Sequence, residues 1–77
     1  MKINSNVRYR DDLPGFLIYL DKRIFVLDEV GKQVFFLLKQ DKNLHEIENC
    51  FGERLGIDLN WLKRFVTSLR AVNIIEE

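Results

Sequence analysis

An α+β fold, with strands first and three helices after them, follows from three features of the sequence. Short apolar stretches with a period of two precede residue 28, and a single hairpin turn separates the longest of them. From Asp28 onward the apolar period lengthens to that of a helix and stays there. Side chains able to cap helices recur at Asp28, Asn43 and Asp58, each just ahead of an apolar run. The order predicts an N-terminal three-stranded antiparallel sheet followed by three helices, a winged helix-turn-helix-like arrangement.

The first six residues are polar and are expected to be loose. Residues 7–10 alternate Val7 and Tyr9 with Arg8 and Arg10, which predicts a first strand. A turn is expected over residues 11–15, where Pro14 presets φ and Gly15 accepts a positive one. Two further strands, residues 16–20 and 23–27, flank Asp21 and Lys22 as a two-residue hairpin turn. That register sets Tyr19 opposite Ile24 and Leu17 opposite Val26. Phe16, Ile18, Leu20, Phe25 and Leu27 then share the other face. Both faces are apolar. The helices cover one, so Leu17, Tyr19, Ile24 and Val26 are either shielded by the first strand or offered to another chain.

Asp28 is expected to cap the first helix, with Glu29 complementing its dipole. Val30, Val34, Leu37 and Leu38 form its inward stripe, and Phe35 and Phe36 widen that stripe until the helix must be covered on several sides. Asn43 and Glu46 have capping-box spacing at the start of the second helix, whose stripe is Leu44, Ile47, Phe51 and Leu55. Gly56 is placed to end it. Asp58 caps the third helix, with Ile57 and Leu62 as a hydrophobic staple. Leu59, Leu62, Phe65, Val66, Leu69 and Val72 line one side of that helix. Asn73 can take the left-handed conformation after it, returning Ile74 and Ile75 to the core.

Composition narrows the function. The 77 residues make one domain, 47% hydrophobic and 31% charged, which is enough apolar surface for a core. Twelve basic side chains balance twelve acidic ones, so the electrostatic footprint of a nucleic-acid binder is missing. One cysteine cannot form an internal disulfide or a multi-cysteine metal site. No stretch is long and apolar enough for a membrane span or a secretory signal, so a cytoplasmic location is expected. Chemistry is poorly provided for. His45 and Cys50 stand five apart, which separates them around a helix, and Cys50 is expected to be a small buried hydrophobe. The glycines are scattered and form no phosphate loop. Neither an enzymatic activity nor a cofactor is expected.

Two binding surfaces remain. On the third helix, Asn60, Lys63, Arg64, Thr67, Ser68 and Arg70 resemble a face that reads the major groove, which makes a small winged-helix DNA-binding regulator the alternative reading. Zero net charge and the commonness of such faces on solvated helices weigh against DNA. The other surface is a groove beside the third strand. If the strands are ordered one-two-three, Arg23, Ile24, Phe25, Val26 and Leu27 form a sheet edge to which an extended peptide can add. Leu62, Phe65, Val66 and Leu69 would furnish the facing wall, with Lys63 and Arg70 along one margin. A dimer joined through Leu17, Tyr19, Ile24 and Val26 is a third possibility.

Several segments carry a resemblance. VRYRDD at residues 7–12, FVLDEVGKQVFFLL at 25–38, NLHEI at 43–47 and FVTSLRAVNII at 65–75 together resemble the PqqD-like family. Its members are peptide-recognition elements in the biosynthesis of ribosomally synthesised, post-translationally modified peptides. The resemblance spans residues 7–75. Asp28 stands where the family more often has Asn, Lys42-Asn43 where Gly-Thr is frequent, and Asn73 where Gly is usual. Each replacement preserves a capping or left-handed role. The resemblance implies a non-enzymatic chaperone that holds the leader of a precursor peptide between the third strand and third helix. It would present that leader to a modifying enzyme: a radical-SAM maturase, a leader protease or a cyclodehydratase.

Overall fold

The computed structural model describes residues 2–12 and 15–76. Strand β1 (Lys2–Ile3) comes first, followed by β2 (Arg8–Asp12), β3 (Gly15–Leu20) and β4 (Arg23–Leu27). The last three form an antiparallel sheet ordered β2-β3-β4. Tyr19 pairs with Ile24 and Leu17 with Val26, the register that the alternation of the sequence requires. The hairpin closes without glycine because Asp21 accepts a φ of +57°, a conformation that Asp and Asn tolerate better than most residues. Strand β2 starts one residue later than the sequence suggests and runs on through Asp11 and Asp12, which pair with Phe16 and Gly15. Of the turn expected at residues 11–15, Leu13 and Pro14 lie outside the described residues.

Helices α1 (Glu29–Lys39), α2 (Leu44–Leu55) and α3 (Leu59–Ala71) follow, and β5 (Ile75–Glu76) ends the described chain. All three expected N-caps are in place. Asp28 Oδ1 accepts from Gly31 N at 2.8 Å, and Asp58 Oδ1 accepts from Trp61 N at 2.8 Å. Asn43 and Glu46 complete a reciprocal box, at 2.9 and 3.1 Å. Glu48 of α2 adds a tertiary cap, accepting from Leu59 N at 2.7 Å and so tying α2 to the start of α3. Each helix also ends alike. Asp41, Gly56 and Asn73 are left-handed, and the next residue donates back to the carbonyl five before it: Lys42 to Leu37, Ile57 to Gly52 and Ile74 to Leu69. Gly56 and Asn73 are identifiable from their residue types, whereas Asp41 is not.

Residues 2–6, expected to be loose, are instead tied down. β1 pairs antiparallel with β5, Ile3 facing Ile75, and Asn4 donates through its backbone to Ile74 O and through its side chain to Asn73 O. The partners lie at the opposite end of the chain, so no local pattern could have revealed this ribbon.

The core forms where the sheet meets α1. Phe16, Ile18 and Leu20 project inward from β3, and Val34, Phe35 and Leu38 meet them from α1. Tyr9, Phe16, Phe35 and Phe36 gather into one aromatic cluster with centroids 5.3–6.0 Å apart, mostly edge-to-face or tilted. Ile47, Ile57, Leu62, Val66, Leu69, Ile74 and Ile75 close the core from below. Val30 and Leu37, expected inside, are only half-buried, and Gly31 takes an inward place. Cys50 is exposed, contrary to its expected burial, because it lies on the far side of α2 from buried Gly52 and the stripe of Leu44, Phe51 and Leu55.

Gly52 supplies a sharp test of the α2 ending. Alanine ordinarily stabilises a helix interior by about 1 kcal/mol relative to glycine. A Cβ at Gly52 would lie 2.9 Å from the Ile57 carbonyl oxygen. Gly52→Ala is therefore expected to lower stability, by about 1 kcal/mol or more, in urea denaturation; a raised midpoint would contradict this packing.

Candidate functional site

Strand β4 is the sheet edge that the sequence anticipates. Among the described residues no strand pairs with its outer side. A two-residue turn closes on a hydrogen-bonded pair, Leu20 with Arg23, and bonded and non-bonded pairs then alternate along an antiparallel ladder. Arg23, Phe25 and Leu27 therefore spend their backbone groups on β3. Ile24 and Val26 direct theirs outward, two N–H donors and two carbonyl acceptors in a row. The two residues are 61% and 69% exposed.

The two edges of the sheet are treated differently. β2 reads Arg-Tyr-Arg-Asp-Asp, four of its five residues charged, and Arg10 pairs with Asp12 across its surface. Charge of this kind discourages further strand pairing. β4 carries one charged residue, Arg23, and that side chain is engaged elsewhere. Arg23 Nη2 donates to the Val72 carbonyl at the end of α3, at 3.1 Å, and its guanidinium lies 5.4 Å from the centre of the Phe25 ring. The unprotected edge is thus the one beside α3.

On α3 the structure separates roles that the sequence leaves merged. Leu62, Val66 and Leu69, expected in the wall of the groove, are 0%, 4% and 5% exposed and belong to the core. At about 100° per residue, Trp61, Phe65 and Ser68 share one flank of that buried stripe, while Lys63 and Arg70 lie on the opposite flank. The Arg23–Val72 bond and the approach of Phe65 to α1 identify the Trp61 flank as the one beside β4. A Cβ at Gly31 would sit 3.4 Å from both Phe65 Cε1 and Leu27 Cβ, so Phe65 and the end of β4 gather around one point of α1. The margin assigned to Lys63 and Arg70 is corrected accordingly: they are exposed, but on the side turned away from the edge.

Arg23, Phe25, Leu27 and Phe65 are thus brought together, with Ile24 and Val26 along the open side. Sequence reasoning missed Trp61, whose indole stacks on Phe65 at 4.9 Å and 16°. With Arg64, Phe65 and Ser68 it lines a shallow concavity of about 220 Å³. The clue was an aromatic pair at i and i+4 lying partly off the core stripe.

Other surfaces offer less. Thr67 Oγ1 donates to Lys63 O at 2.8 Å and Ser68 Oγ to Arg64 O at 3.0 Å, so both hydroxyl protons of the supposed base-reading face return to their own helix. Asp11, Asp12, Asp28 and Glu29 border a small hollow with Lys32. Lys32 Nζ lies 3.1 Å from Asp11 and 3.6 Å from Glu29. The hydrogen bond that this ammonium donates to the Asp11 carboxylate holds it above the usual lysine pKa, against a smaller opposing effect of desolvation. His45 and Cys50 are both exposed. No cluster of His, Cys, Asp or Glu suited to a metal ion occurs among the described residues, and none of their helices is long and apolar enough to cross a membrane. Compared with known proteins, the chain matches no protein-family model, no curated protein and no solved structure.

Proposed function

We propose that this chain is a non-enzymatic adaptor that captures the leader segment of a precursor peptide by strand addition to β4. The observation that carries the reading is the unprotected edge at Ile24 and Val26, beside an aromatic shelf on α3. Four outward backbone groups can each form a hydrogen bond with net value of about 1 kcal/mol. The pleat would send alternate peptide side chains toward Phe25, Phe65 and Trp61. Fixing an extended peptide costs ordering entropy, so affinity rests on this ladder and a few apolar anchors. The PqqD-like motifs support the leader of a modified peptide as ligand and a modifying enzyme as recipient. A cytoplasmic setting, with a radical-SAM maturase, leader protease or cyclodehydratase as recipient, follows from that resemblance.

Peptides selected from a random display library on the wild-type protein provide the probe. Val26→Pro removes an outward donor and leaves the ladder to β3 intact. It is expected to weaken the selected peptides about tenfold, one lost hydrogen bond plus the bulk of the ring, with an unchanged circular dichroism spectrum. Calorimetric affinities equal to those of the wild type would count against strand addition.

The two flanks of α3 should also separate. Trp61→Ala and Phe65→Ala are each expected to lose about tenfold in peptide affinity, in line with the cost of truncating a buried anchor. Lys63→Glu and Arg70→Glu should change it by no more than about twofold at moderate salt. Comparable losses from the Lys63 and Trp61 substitutions would show that the facing wall is misassigned.

A further inference from the structure

We infer that, in the absence of a peptide, β4 pairs with β4 of a second copy, forming a reversible two-fold dimer with a continuous six-stranded sheet. The inference goes beyond peptide capture and rests on the self-complementarity of the edge. Its outward groups belong to Ile24 and Val26. An antiparallel copy in which Ile24 faces the copy's Val26, and Val26 the copy's Ile24, uses every one of them. Shifting by two residues in either direction leaves half of them unpaired, so one register is preferred.

The side chains agree with that register. Ile24 and Val26, 61% and 69% exposed, come together on the outer face as two β-branched apolar pairs. Phe25 meets its own counterpart at the dyad. Just beyond the strands, exposed Lys22 falls across from the exposed Asp28 of the copy, a favourable charge pairing made twice by the symmetry. A dyad perpendicular to the sheet keeps both helical layers on one side, which brings the two Trp61 flanks toward each other. Two five-residue strands bury less than the roughly 1,200 Å² of a standard interface, so the dimer forms and dissociates with concentration.

Sedimentation of the wild type from micromolar to millimolar concentration, with no peptide present, should show a reversible monomer–dimer equilibrium. Val26→Pro should remain monomeric throughout. The register has its own readout. In a Cys50→Ser background, Phe25→Cys places its thiol at the dyad in a non-hydrogen-bonded pair, with Cα atoms about 4.5 Å apart, close enough for a disulfide. It should form a covalent dimer on oxidation, and Ile24→Cys should not. A protein monomeric at every concentration overturns the inference, and does so without touching peptide capture if selected peptides still bind. A dimer that survives Val26→Pro but is lost in Leu17→Lys overturns it equally, because the copies would then stack through the sheet face.

Discussion

The packing of Phe35 of α1 against Phe16 of β3, 5.5 Å between ring centres, is the interaction on which the rest of the structure depends. Both side chains are buried, and Tyr9 and Phe36 frame them with further ring contacts. Because β3 is the central strand, holding it against α1 positions both neighbours at once. β2 is drawn in through Tyr9. β4 is left on the far side, within reach of α3 but covered by no other strand. A domain this small has little apolar surface to spend, and one aromatic cluster supplies much of what joins sheet to helices.

From that arrangement the character of β4 follows. Its inward residues are held by the helical layer, Phe25 and Leu27 from below and Arg23 through the Val72 carbonyl. Its outward residues carry neither a charge nor a proline to discourage a partner. Strand β2 shows what a protected edge looks like in the same sheet, with arginines and aspartates along its length. The contrast is chemical as well as geometric: one margin repels company and the other invites it. At Gly31 of α1 the ring of Phe65 and the side chain of Leu27 converge, which brings α3 up to the edge.

Much of the fold was legible in the sequence because its determinants are local. The caps at Asp28, Asn43 and Asp58 act on backbone N–H groups three residues away. Gly56 and Asn73 answer a steric demand at a single residue. The register of β3 with β4 follows from a two-residue turn and the period of two. Where the determinant was distant, legibility failed. The β1–β5 ribbon joins the two ends of the described chain, and Glu48 caps a helix other than its own. Asp41 gives no local signal of its left-handed turn, since aspartate serves equally well in many polar loops.

The candidate site divides along the same line. Sequence alone determined that Arg23 to Leu27 is an apolar strand and that α3 has a broad apolar stripe, because both are matters of side-chain type and period. Only the tertiary structure decided which residues of that stripe are spent on the core and which remain beside the edge. Leu62, Val66 and Leu69 went inward; Trp61 and Phe65 stayed at the flank, and Lys63 and Arg70 turned away. The physical reason is rotational. A helix shows its neighbours a face some 100° wide, and its period limits which residues can share that face. The angle at which it docks is set by what it packs against, here α2 and β5.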